Sequence, residues 1–242
     1  MKNYYLFKFA IAGLSIFMLA SWTTTYQPAD HDDTKDVRQV GNFVYMSLET
    51  SCDIVLTQGS GCSVELEGDK DDIEKIITEV SDNKLIIKQK NHCFNISHKV
   101  TVYITMQQIK GLSVAGSGDI TSDSRINSNE LNLSVSGSGS INLADLLVKK
   151  MSTSVTGSGN IKTAGKSNAD ELNIVITGSG NYNGENLGFE KINATITGSG
   201  SAKVYALEEL KTNVIGSGSV HYKGDPNINA NSVGSGKTKK ID

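Results

Sequence analysis

Apolar and polar residues alternate along most of this chain, and from residue 112 onward the alternation repeats at a nearly fixed interval. Val114, Val135, Val155, Ile176, Ile196 and Val214 each stand two residues before a Gly-Ser-Gly. Ile120, Ile141, Ile161, Tyr182, Ala202 and Val220 each stand two residues after it. Leu131, Met151, Leu172, Ile192, Leu210 and Ile228 form a third apolar column. A fourth is mixed, with Leu112, Leu133 and Ile174 in some copies and Thr153, Ala194 and Thr212 in others. The residues between are mostly Ser, Thr, Asn and Lys. A period of two marks half-buried strands, apolar inward and polar outward.

Seven Gly-Ser-Gly triplets punctuate this pattern. Their first glycines are Gly116, Gly137, Gly157, Gly178, Gly198, Gly216 and Gly234, at steps of 21, 20, 21, 20, 18 and 18 residues. Their second glycines are Gly118, Gly139, Gly159, Gly180, Gly200, Gly218 and Gly236. A fixed period near twenty is that of a solenoid, whose single turn cannot bury its apolar face alone. The expected fold is all-β: a right-handed β-helix-like solenoid of about seven turns, with parallel pairing between turns. Glycine suits a corner or bulge repeated once per turn. The central serines, Ser117, Ser138, Ser158, Ser179, Ser199, Ser217 and Ser235, would then share one column. They are either a ladder that binds something or small residues at a tight corner.

Residues 38–107 are strand-rich without the regular period. Ile54-Val55-Leu56 and Val64-Glu65-Leu66-Glu67 flank Gln58-Gly59-Ser60-Gly61, a turn signal. Asp71 to Ile77 fits one helical turn. The favoured reading is a hairpin of Ile76–Val80 with Leu85-Ile86-Ile87 through Ser81-Asp82-Asn83, since Ile and Val dominate. Val100-Val102-Ile104 is the last strand before the repeats. This part, 38–107, is expected to run on into the solenoid, 108–242. At the far end Ser232 replaces the inward Val or Ile, and Lys237, Lys239 and Lys240 crowd the terminus, as a polar cap would. The same lysines could contact an anionic surface.

Residues 1–21 read as a secretory signal. Lys2 and Lys8 precede an apolar run from Phe9 to Ala20, followed by small Ala20 and Ser21. The run is short for a membrane span, and no other stretch approaches that length. No cysteine stands at the cleavage zone for lipidation. Residues 22–37, rich in Asp, are expected to be a disordered linker. The protein is therefore expected to be exported, to the periplasm, the cell surface or the medium, with no transmembrane span in the mature chain.

The order of motifs resembles the head GIN domain family, labelled an auto-transporter adhesin. The matching pieces begin with Phe43, the run Asp53-Ile54-Val55-Leu56-Thr57-Gln58-Gly59 and the run Asp82 to Ile87. Val102-Tyr103-Ile104-Thr105, Leu112 to Gly118, Tyr222-Lys223-Gly224-Asp225-Pro226 and the closing Gly234-Ser235-Gly236 follow. The resemblance spans residues 38 to 240. It implies a β-helix-like envelope protein and supplies no catalytic residues. The chain ends at Asp242 with no β-barrel translocator, so the auto-transporter label is not expected to describe a mechanism here.

Charge and candidate chemistry narrow the function. The formal charge of −3 and only two arginines, Arg38 and Arg125, argue against a nucleic-acid partner. Cys52, Cys62 and Cys93 are an odd set in an exported chain, so at least one thiol stays unpaired or pairs between chains. His92 beside Cys93 lacks the spacing of a zinc site, and neither metal nor cofactor is expected. Gly-Ser-Gly is neither a nucleophile elbow nor a phosphate loop. A β-helix glycosidase would need two carboxylates facing one groove. The acidic residues scatter instead, except for a column of alternating sign: Glu130, Lys150, Glu171, Lys191 and Glu209. Outward hydroxyls and amides at Ser134, Ser154, Thr177, Thr195, Thr197, Asn173 and Asn193 are the candidate binding residues. The expectation is a non-enzymatic, adhesin-like or scaffold protein binding a glycan or an envelope protein. A carbohydrate-active lyase or glycosidase is the alternative, and self-association into a homo-oligomer a third reading.

Overall fold

The computed structural model describes residues 33–90 and 96–241, with the side chains of residues 166 and 167 left aside. The expected signal segment and Cys93 lie outside this range, as does the expected linker up to residue 32. Within residues 33–37, Thr34–Val37 are not linker but belong to β1 (Thr34–Arg38), antiparallel to β4 (Ser63–Gly68). Among the described residues no helix is long and apolar enough to cross a membrane.

One sheet of sixteen strands carries the whole fold. Five long strands each trace a full coil: β9 (Asp119–Gly137), β10 (Ser140–Gly157), β11 (Asn160–Gly178), β12 (Asn181–Gly198) and β13 (Ser201–Gly216). Neighbouring coils pair in parallel and in register, Gly137 with Gly157, Gly157 with Gly178, Gly178 with Gly198 and Gly198 with Gly216. A sixth coil is split into β14 (Ser219–Lys223) and β15 (Asn227–Gly234), and β16 (Lys237–Lys240) stacks on β14 as the start of a further one. The result is a β-solenoid of about six turns rather than seven, because seven corners enclose only six intervals.

The two glycines of each corner answer different demands. From the second copy on, the first glycine takes a φ of 110–126°, a region that side chains rarely adopt. Its carbonyl then accepts two N–H groups from the next coil. Ser158 N and Gly159 N donate to Gly137 O at 2.9 and 3.0 Å, and the same pair of bonds recurs at each first glycine from Gly116 to Gly216. The second glycine is buried, and its backbone lies against the coil before. A Cβ on Gly159 would drive into the carbonyl of Gly139 and into Val135 Cγ1. The serine between them is exposed. The sequence columns follow from this locking. All members of the first two apolar columns and of the mixed column are buried, Thr153 and Thr212 included. The third column is buried except at Ile228, 46% exposed, because no coil follows to cover it.

The N-terminal part joins the same sheet. β2 (Tyr45–Glu49) pairs in parallel with β8 (Gly111–Gly116) and with β6 (Lys84–Gln89), and β3 (Asp53–Gln58) with β7 (Thr101–Met106) and β9. Thr50-Ser51-Cys52 takes the place of Gly-Ser-Gly, with Gly118 N donating to Thr50 O at 3.3 Å. The favoured hairpin is present, and the helical turn is shorter than the span to Ile77, because Ile76 and Ile77 belong to the hairpin. Lys70–Ile73 form the short helix α1, capped by Asp69, and β5 (Ile76–Ser81) makes an antiparallel hairpin with β6. Its turn residues Asp82 and Asn83 have φ of 52° and 59°, the two consecutive positive angles of a tight hairpin turn.

Gly159→Ala is expected to cost about 2–3 kcal/mol, since the added methyl must push two backbones apart. Ser158→Ala, one residue away and exposed, should change stability by less than about 0.5 kcal/mol. Urea unfolding of both variants checks the contrast, and equal losses would sink the division of labour within the triplet.

Candidate functional site: a groove across the coils

Locked register turns outward residues into columns on one face of the sheet. Asn132, Ser152, Asn173 and Asn193 form one column, and Ser134, Ser154, Val175 and Thr195 a second. Thr177 and Thr197 stand in a third. All seven sequence-predicted binding residues therefore share this face. Ser134, Ser154 and Asn173 come together in a groove of about 490 Å³, walled by the first two columns. Asn193 lies on the rim of a neighbouring depression. Thr177, Thr195 and Thr197 are exposed outside the groove's lining.

The amides of the wall are held in place. Asn193 Nδ2 donates to Asn173 Oδ1 at 3.1 Å, and Asn173 Nδ2 donates to Glu171 Oε1 at 3.1 Å. Between the two columns the floor is the backbone around Leu112, Leu133 and Thr153, whose side chains point into the core.

Sequence reasoning missed an aromatic residue that lines the groove toward its N-terminal side. Tyr45, on β2, lies beside Gly111 in register and is 39% exposed. Its ring rests on Gly111: a Cβ there would meet the ring carbons Cδ1 and Cε1 at 2.8 and 3.3 Å. A glycine outside any Gly-Ser-Gly, at the head of the first coil, is the one sequence signal for this contact. A second depression of about 610 Å³ shares Tyr45 and Asn132 with the groove. Ser128 shapes its wall, its hydroxyl placed 2.8 Å from both the Ile109 and the Glu130 carbonyls.

The charged groups elsewhere are structural in their contacts. Glu130, Lys150, Glu171, Lys191 and Glu209 stack in register with alternating sign. Arg125 and Asp145 pair across adjacent coils at 2.9 Å. Asp69, Asp72 and His98 present ligand atoms within 4.8 Å of one another. Asp69 caps α1, however, and the Asp72 carboxylate is a clasp: it takes Lys75 Nζ at 2.6 Å, the backbone N–H groups of Ser97 and His98, and the His98 ring at 3.1 Å. Burial pushes its acidity weaker, but Lys75 and the donors around it outweigh this and hold its pKa at about 2. Cys52 is a buried free thiol pushed up to about 11 by burial, and Cys62 is half-buried and free.

The model of a family described as putative auto-transporter adhesin, head GIN domain, matches residues 42–226. The chain belongs to the head GIN domain family. Among solved structures, a putative adhesin from Bacteroides fragilis is similar at 26% identity with a TM-score of 0.81, over 86% of this chain and 97% of its own. A putative adhesin from Parabacteroides distasonis is 24% identical with a TM-score of 0.68, over 88% of this chain and 98% of its own. A putative lipid binding protein from the same organism, 23% identical with a TM-score of 0.71, has the same coverage. The last two, at their low identity, speak for the fold alone. Comparison with curated proteins gives no match.

Asp72→Ala is expected to cost about 3 kcal/mol, because two amides and a lysine lose their acceptor. The carboxyl has its pKa lowered by folding, so its contribution is present above the ordinary 3.8 and lost as pH falls toward about 2. Urea melts between pH 6 and pH 2 should therefore show the wild-type advantage over the variant shrinking across that lower window. A constant gap would contradict the clasp.

Proposed function

We propose that this head GIN domain protein is an exported, non-enzymatic adhesive module of the cell envelope that holds a carbohydrate. The observation that carries this is the groove itself. Two in-register columns of hydroxyls and amides face solvent beside an exposed tyrosine ring. Binding sites of this kind combine a few fixed polar groups with an apolar platform. The adhesin descriptions of the family and of its structural neighbours support a surface role. The apolar run at residues 9–20 supports export, as does the small-residue zone after it.

Catalysis fits the face less well. Glycoside hydrolysis needs an acid and a second carboxylate across one groove. The column nearest this one places a lysine between each pair of glutamates, Glu130, Lys150 and Glu171. Opposite charges side by side across strands stabilise a sheet surface and leave no two adjacent carboxylates in that column.

The full chain, expressed with its leader and recovered after export, is expected to bind one or more carbohydrate polymers of an envelope and glycan array saturably, with no oligosaccharide released. Cell fractionation should find it outside the cytoplasm. Released oligosaccharides would replace this reading with the lyase or glycosidase one. Retention only on a protein fraction would replace the carbohydrate with a protein partner.

A further inference from the structure

The groove and the second depression share two residues, and this says what form of ligand the site takes. Tyr45 and Asn132 line both. The site is thus two depressions that adjoin at an aromatic ring, longer together than either alone. The ring is seated before any ligand arrives, because Gly111 leaves room for it to lie against the backbone of the first coil. A preseated ring offers contact area at little entropic cost.

On the solenoid side the walls advance one coil at a time, so polar groups recur at roughly 4.8 Å. Ser134 and Ser154 stand on one wall, and Asn132 and Asn173 on the other. Repeated hydroxyl and amide groups beside a backbone floor suit a ligand that repeats hydroxyls along its length. The exposed lining is nonetheless largely apolar, so the groove also offers contact area to the flat faces of sugar rings. Among the described residues lining the groove only Lys84 is charged, and in the second depression Lys110 and Glu130 carry opposite signs. Neither side concentrates one sign of charge, as a polyanion would require.

We propose that Tyr45 is the stacking platform of a cleft that binds an uncharged, linear polysaccharide in mid-chain, laid across the coils. This rests on the carbohydrate reading above and fixes its residue, its ligand class and its mode. One sugar ring lies on the exposed part of Tyr45. Residues on one side of it meet the Ser134 and Ser154 wall, and residues on the other enter the depression near Lys110.

The test titrates the full exported chain with soluble neutral polysaccharides (glucans, mannans and xylans), with their disaccharides, and with vesicles of phosphatidylcholine and phosphatidylglycerol. The expected result is binding of at least one polymer with much weaker binding of its disaccharide. Tyr45→Ala should then weaken it about tenfold, the loss of one aromatic stack, while Tyr45→Phe stays within about threefold. Thermal unfolding of each variant separates this from misfolding. Ser154→Leu, which fills the opposite wall without touching the ring, should weaken binding too. Polymer binding that survives both Tyr45→Ala and Ser154→Leu would overturn the placement and leave the carbohydrate function standing. A disaccharide binding as tightly as its polymer would overturn the mid-chain mode alone. Vesicle binding that Tyr45→Ala abolishes, with no sugar bound, would make the cleft a lipid site. No binding to any neutral polymer would overturn the inference, and binding confined to charged glycans on the array would still spare the broader reading.

Discussion

A carbonyl that accepts two N–H groups from the next coil is the constraint on which this structure depends. Each first glycine from Gly116 to Gly216 presents its oxygen to the serine and the second glycine above it at 2.8–3.1 Å. From Gly137 on the chain turns there at positive φ, and at each corner it then passes close to the coil below. One triplet supplies both, and neither demand tolerates a side chain. The first coil departs from the pattern. Thr50-Ser51-Cys52 stands there with Thr50 outside the positive-φ region, and Gly118 above still packs on the Cys52 carbonyl.

Register is the consequence that matters for function. A slip of one residue would turn every inward side chain outward, and the corners forbid it once per coil. Outward residues are therefore held in columns whose spacing is set by the backbone. The alternating Glu and Lys column is stable for this reason, and so is the Asn173–Asn193 ladder. The groove is the space between two such columns. Nothing about it required a loop, and its walls are as rigid as the sheet.

This also explains what could be read from the sequence. The corners, the buried columns, the alternating charge column and the shared face of Ser134, Ser154, Asn173 and their neighbours are periodic, so local spacing exposes them. Tyr45 was not legible, because it reaches the site through pairing of β2 with β8, sixty-six residues apart at Tyr45 and Gly111. The Asp72 clasp escaped for the same reason, its donors at Ser97 and His98 lying on the far side of the hairpin. Ile228 failed in the opposite way. Its spacing matched the buried column, but burial also needs a following coil, and periodicity carries no record of where the stack stops.

A solenoid face of this kind favours holding over reacting. Catalysis asks unlike groups to converge on one atom, an acid opposite a base or a nucleophile beside a proton acceptor. In-register coils do the reverse, repeating like groups along a line and placing unlike ones at fixed lateral offsets. Such a surface matches a ligand that is itself periodic, and each further coil adds a contact at little extra ordering cost, since the wall is already built. The irregular element is then what confers discrimination. Here that element is the N-terminal part, which sets one aromatic ring from outside the repeat against an otherwise uniform row of hydroxyls and amides.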